Sequence, residues 1–188
     1  MLKKICTLVL ILFAPLAWAE GSVSLTTGFD YTTGTYGGTN STNILNIPVS
    51  GKYQTDDYFL KLSIPYIRVT SAGGVVQGLG MFKNTTTKVT TQSGLGDIVA
   101  SAGYTVYYGD QLLLDIVGNI KFGTADVNHN LGTGENDYST QLDGYYAIDK
   151  TTLLGTLGYK IIGAPAGVSV NNIFYGSAGF SRDRKSVV

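Results

Sequence analysis

The sequence predicts an all-β chain: an antiparallel, up-and-down transmembrane β-barrel with about eight strands present, truncated at its C-terminal end. Three observations predict it. Segments of about ten residues alternate apolar and polar side chains with period two. Tight turns and longer polar loops alternate between them. Aromatic rings recur on the apolar parity near segment ends, as in barrels that carry aromatic girdles at both interfaces.

The chain of 188 residues opens MLKKICTLVLILFAPLAWAE. Lys3 and Lys4, the apolar run Ile5–Phe13 and the small residues Ala17 and Ala19 read as a secretory signal peptide over 1–19, cut before Glu20. That run is far shorter than the ~20 residues of a membrane-spanning helix. Cys6 is the one cysteine and lies in the leader, so the mature chain is expected to hold no disulfide and no cysteine-based metal site. A formal net charge of zero argues against a nucleic-acid partner. With 25 Gly, 13 Tyr, many Thr and few Glu, composition leans to β structure.

Each segment is then justified by its alternation. Ser22–Tyr31 sets Val23, Leu25, Phe29 and Tyr31 against Ser22, Ser24, Thr26 and Asp30. Leu45–Gln54 sets Leu45, Ile47, Val49 and Tyr53 against Asn46, Pro48, Ser50 and Lys52. Tyr58–Val69 sets Tyr58, Leu60, Leu62, Ile64 and Tyr66 against a less clean set, Phe59, Lys61, Ser63, Pro65 and Ile67. Asp97–Tyr107 opposes Ile98, Ala100, Ala102, Tyr104 and Val106 to Asp97, Val99, Ser101, Gly103 and Thr105. Leu112–Phe122 opposes Leu112, Leu114, Ile116, Ile120 and Phe122 to Asp115, Val117, Asn119 and Lys121. Asp137–Ile148 opposes Tyr138, Leu142, Tyr146 and Ile148 to Asp137, Ser139, Gln141 and Asp143. Thr151–Ile161 opposes Leu153, Leu157, Tyr159 and Ile161 to Thr152, Thr156 and Lys160, and Ile173–Phe180 offers Phe174, Ala178 and Phe180 as its apolar side. Thr55–Asp57, Tyr108–Gln111 and Asp149–Lys150 read as tight turns at one end. Tyr36–Thr42, Ser71–Gly94, Gly123–Asn136 and Ile162–Asn172 read as longer loops at the other.

Nine charges fall on the polar parity: Asp30, Lys52, Lys61, Asp97, Asp115, Lys121, Asp137, Asp143 and Lys160. Only Arg68 shares the apolar parity, where its strand leaves the girdle. A lipid-facing charge costs roughly 2–4 kcal/mol at the bilayer midplane, so nine would cost at most on the order of 30 kcal/mol, beyond the ~5–15 kcal/mol that holds a fold together. The polar parity is therefore expected to line a lumen, joined there by Asn119 and Gln141, with ion pairs between neighbouring strands. A soluble sandwich with one wet face would alternate in the same way. The leader, the loop asymmetry, the aromatics and the missing cysteines favour the barrel.

The ordered set TGFDYTTGTYGG, NIPVSGKYQTDDYFLKLSIPYIRVTSAGG, SGLGDIVASAGY, KFGTAD and LGTGENDYSTQLD resembles the transporter-like outer-membrane barrels grouped under a phenol-degradation meta-pathway label. The resemblance spans roughly 24–180. It implies a barrel in the outer membrane of a Gram-negative-type bacterium that passes small organic or aromatic solutes. Gly123 stands where that family often has proline, which predicts a looser outer end of the fifth strand. Asp183–Val188 back-translates to a sequencing-adapter read. The domain expectation is thus a leader over 1–19, an incomplete barrel over 20–182 and a non-native tail over 183–188.

Other motifs carry little chemistry. His129 reads as a solvated loop residue, for want of a serine placed to form a triad with it. DVNHNLGTGEND echoes a calcium loop, but Leu131 stands where that loop requires glycine and no helices flank it. SGLGD has neither the spacing nor the helix of a phosphate loop. Asn84-Thr85-Thr86 fits a glycosylation sequon of little meaning here. Pro48 and Pro65 each remove a ladder hydrogen bond and predict bulges or edge irregularities. The expected function is a channel or transporter-like barrel, with no catalytic residues, metal or cofactor. Its expected partners are outer-membrane lipid and a small solute. The alternatives are a structural or adhesive barrel with a plugged lumen, and a soluble periplasmic β-barrel binding an apolar ligand. An enzyme ranks last.

Overall fold

The structure, a computed structural model, describes residues 21–35, 40–72, 74–76, 80–82 and 88–183, with no side-chain description for 74–82. The expected leader, the sequon and residues 184–188 of the expected tail lie outside the described residues. Among those described the chain is almost wholly β: β1 (Ser22–Thr27), β2 (Asp30–Gly34), β3 (Thr42–Gln54), β4 (Tyr58–Ala72), β5 (Gly74–Val76), β6 (Gly80–Phe82), β7 (Val89–Leu95), β8 (Ile98–Tyr108), β9 (Leu112–Phe122), β10 (Asp137–Ile148), β11 (Thr151–Ile161) and β12 (Ile173–Arg182). Among the described residues a 3-10 turn spans Val127–His129.

All pairings are antiparallel, in the order β1-β3-β4-β8-β9-β10-β11-β12. β2 extends β1 along β3, and β7 extends β8 along β4. The sheet curls into a half-barrel whose two edge strands, β1 and β12, do not pair with each other. β5 and β6 form a separate small hairpin in the connection after β4. The eight expected segments correspond to the eight positions of this path.

The first expected segment is interrupted at Gly28–Phe29, and the expected loop Ser71–Gly94 instead carries the end of β4, β5, β6 and β7, so that a second gap parts β7 from β8; each gap lies opposite a proline. Pro48 and Pro65 face each other across β3 and β4. The Pro48 carbonyl points toward the gap between β1 and β2, where it accepts from the Thr27 hydroxyl at 3.1 Å. The Pro65 carbonyl points toward the gap between β7 and β8, where it accepts the Gly96 N–H at 2.8 Å. Neither ring nitrogen has a hydrogen to donate, so the ladder lapses where one is missing. At the first gap the register is unchanged on either side, Thr27↔Val49 and Asp30↔Asn46. At the second it shifts by one residue, from Tyr66↔Leu95 to Ser63↔Val99, as a bulge requires. Asp97 lies in that bulge rather than at the start of a strand. A second bulge between Thr105 and Tyr107 turns Tyr107, besides Tyr104, to the apolar side. Simple alternation did not anticipate it.

The tight connections are 55–57, 109–111 and 149–150. In the last, Asp149 takes a positive φ of 50°, suited to a two-residue hairpin. Across β8 to β11 the apolar parity is the more exposed of the two. Ile116 is 48 % exposed and Leu157 59 %, whereas Val117 and Asp137 are each 5 % exposed. Of the aromatics on the apolar parity near strand ends, Tyr58, Tyr66, Tyr104, Phe122, Tyr138, Tyr146, Tyr159 and Phe180 are exposed. The exception is Tyr53, which is buried against Gly21 and tilted at 6.1 Å from the Tyr58 ring. Only seven apolar side chains are buried among the described residues, against 31 large exposed ones. Five of the seven, Ile44, Ile67, Val69, Ala125 and Leu131, form a single cluster.

Candidate functional site

Asn46 of β3, Pro65 and Ile67 of β4, Val99 of β8, Lys121 of β9, Asp137 of β10 and Lys160 of β11 line one cavity of about 250 Å³. Every one of them lies on the parity read as polar. Side chains from strands so far apart can share a cavity only if that parity faces the concave side of the sheet. Of the expected lumen-lining positions, Asp97, Lys121, Asp137 and Lys160 are brought together at this cavity.

At the loop end they form a chain of ion pairs. Lys121 Nζ lies 3.1 Å from Asp97 Oδ2 and 3.3 Å from Asp137 Oδ2, and Lys160 Nζ lies 2.9 Å from the same Asp137 oxygen. Asp137 uses its other oxygen to accept the Gly163 N–H at 3.1 Å. The pairing follows from register: Lys121 sits directly opposite Asp137, and Lys160 lies diagonally across from it. The bulge turns Asp97 onto the same surface.

Toward the turn end the signs segregate. Asp115 and Asp143 face each other directly across β9 and β10, and Lys52 faces Lys61 across β3 and β4. Like charges directly opposed are unfavourable and need polar neighbours or water. The acids find hydroxyls and an amide. Thr105 donates to Asp115 at 2.8 Å, Thr156 to Asp143 at 2.7 Å, and Gln141 Nε2 to both Asp143 oxygens at 2.8 and 3.0 Å. Tyr175 of β12 donates to Gln141 Oε1 at 2.8 Å, and Asn119 donates to Ser139 at 3.2 Å. Lys52 rests 4.4 Å above the Phe59 ring, a cation–π contact, while Lys61 is exposed. The ion pairs expected between neighbouring strands thus form only at the loop end. Asp115, Asp143, Lys52 and Lys61 make none among the described residues. Asp30 sits apart on the exposed β2 and accepts from Thr32 at 3.0 Å.

One element of the site lies outside the alternation. The β9–β10 connection, residues 123–136, folds inward rather than standing free at the rim. Ala125 and Leu131 pack on Ile44, Ile67 and Val69, which occupy the inner parity of β3 and β4. Gly94 of β7 makes room for Leu131; a Cβ there would lie 2.8 Å from Leu131 Cδ1. The Ala125 N–H donates to Asp97 Oδ1 at 2.9 Å. Asp126 accepts the Asn128 N–H at 2.8 Å and lies 2.6 Å from His129 Nδ1, while Asn130 closes the turn in the left-handed region. That side-chain contact with His129 holds the Asp126 carboxyl below the ordinary carboxylate range. Gly123 does not loosen the end of β9: its N–H donates to Asn136 Oδ1 at 3.0 Å, a bond that proline could not make. The only sequence signal for this seat was the impure inner face of Tyr58–Val69, with Ile67 where polar residues were expected.

No family model matches this chain, and no curated protein matches it.

Proposed function

We propose that this chain is an outer-membrane β-barrel channel that passes small solutes along its charged concave face. The inverted distribution of side chains carries the reading: aliphatic and aromatic groups outward, ion pairs and hydroxyls inward. A sheet in water would gain little by exposing 31 large apolar side chains and burying seven. In hydrocarbon the same surface is at home, and strand hydrogen bonding satisfies the backbone. Passage requires both free edges to be paired, because each unsatisfied peptide group in lipid costs several kcal/mol. β1 and β12 run in opposite directions, so closure by an even number of intervening strands keeps every pairing antiparallel. The resemblance to transporter-like barrels adds small organic or aromatic molecules as the solute class.

A plugged structural barrel is the second reading, favoured by the inward-folded 123–136 loop and the ion pairs beneath it. The two readings part on one experiment. Protein refolded into lipid should migrate differently before and after boiling, and should admit small sugars into liposomes and carry current in planar bilayers. A heat-shifted, folded band that carries neither solute nor current favours the plugged barrel. A mature chain that stays soluble without detergent overturns both.

A further inference from the structure

We propose that the 123–136 loop is a strap that sets the size limit of the channel, seated by Leu131, pinned by Asp97, and leaving the cavity beneath it as the narrow part of the path. The inference rests on the channel reading and says which residues decide what passes.

The loop leaves β9 and returns to β10, yet its apolar seat is on β3 and β4, with β8 between. It therefore crosses the concave face rather than lying along the rim. Leu131 is 3 % exposed where few apolar side chains are buried among the described residues, and it belongs to an apolar cluster set beside the ion pairs of the concave face. A Leu at the tip of a solvated loop would gain nothing from this placement. Here it fills a seat of Ile44, Ile67 and Val69 opened by Gly94. Asp97 ties the strap to the wall twice, through Ala125 N–H with one oxygen and through the Lys121 ammonium with the other. Leu131 and Thr133 of the strap and the wall residues around Lys121 and Lys160 line the cavity of about 250 Å³. Its two lysines are balanced by Asp97 and Asp137, so the narrow part selects by size more than by charge.

Leu131 and Asp97 are positioning residues, and their test is a ratio of permeation rates. Cys6 is the one native cysteine, so with Cys6→Ser the pair Gly94→Cys and Leu131→Cys is the only thiol pair in the chain refolded into liposomes, and the fraction that forms the disulfide on oxidation, scored by thiol labelling, is the locked form. Swelling rates are read with arabinose, sucrose and raffinose. Reduction is expected to raise sucrose entry about threefold or more over the oxidised form, with arabinose little changed, because the weakened seat releases the strap. Reoxidation should reverse the gain. Leu131→Asn and Asp97→Asn, verified as folded by heat-dependent migration, should raise the sucrose-to-arabinose ratio without a lock. Equal sucrose rates in oxidised and reduced protein, or an unchanged ratio in both single variants, overturn the strap while leaving the channel intact. Failure of arabinose to enter with any folded form overturns the channel and the strap together.

Discussion

Gly103 shows how tightly the concave face is fitted. The Phe59 ring of β4 lies over it, and any Cβ at 103 would collide with that ring. Lys52 in turn rests 4.4 Å from the centre of the Phe59 ring. Gly103→Leu should displace the ring and cost about 1–3 kcal/mol in a urea titration in lipid, as overpacking does elsewhere. Phe59→Ala should recover part of that loss when combined with it. The acidic pair makes a different prediction. If the concave face conducts, as proposed, Asp115→Ala, which removes one of two directly opposed carboxylates, should shift the reversal potential toward anions, and Lys121→Ala should shift it the other way. In the strap, Asp126 is held below its ordinary titration range by His129. A carboxylate with a depressed folded pKa stabilises above its unfolded value and loses that contribution as pH falls through the folded one. Protection of the Asn128 amide, which Asp126 accepts, should therefore decline on acidification, and Asp126→Asn should abolish that dependence in hydrogen exchange.

Strands and loops carry the next layer of evidence. Leu157 and Thr156 are neighbours on β11 that point to opposite faces, Thr156 toward Asp143 and Leu157 outward. Leu157→Arg should cost roughly 2–4 kcal/mol if that face meets hydrocarbon, while Thr156→Arg, set among carboxylates, should fold nearly as well. Water on the outer face would reverse the order, so refolding yield in lipid for the two variants tests the membrane placement strand by strand. The prolines act at this scale too. Each lies opposite an existing gap, and the second gap is what aims Asp97 inward. Pro48→Thr should change stability by less than about 1 kcal/mol, since the Gly28–Phe29 stretch is already out of the ladder.

For the whole molecule the edges decide. The eight strand positions form a half-barrel whose edge strands, β1 and β12, do not pair with each other. Ser24 of β1 and Ser177 of β12 both lie on the inner parity, opposite Lys52 and Thr156 respectively. With cysteine at both positions, no disulfide should form within one chain. Rapid intramolecular cross-linking in lipid would mean that the eight strands close directly.

Much of this was legible in the linear order of side chains. Period-two alternation located all eight strand positions, separated the two faces and assigned Asp115 and Lys121 to the same side, because successive strand residues point oppositely. Runs of Gly, Asn and Thr marked the connections at 123–136 and 162–172 but hid β7 within the expected loop Ser71–Gly94, and the two prolines lie opposite both gaps. What alternation could not reveal was who meets whom across distance. Seating Leu131 on Ile44, Ile67 and Val69, joining Lys160 to Asp137 and leaving Asp115 opposite Asp143 all depend on register, on bulges at 97 and 106, and on the curl of the sheet. These are long-range consequences of closing a surface, and a local pattern holds no record of them.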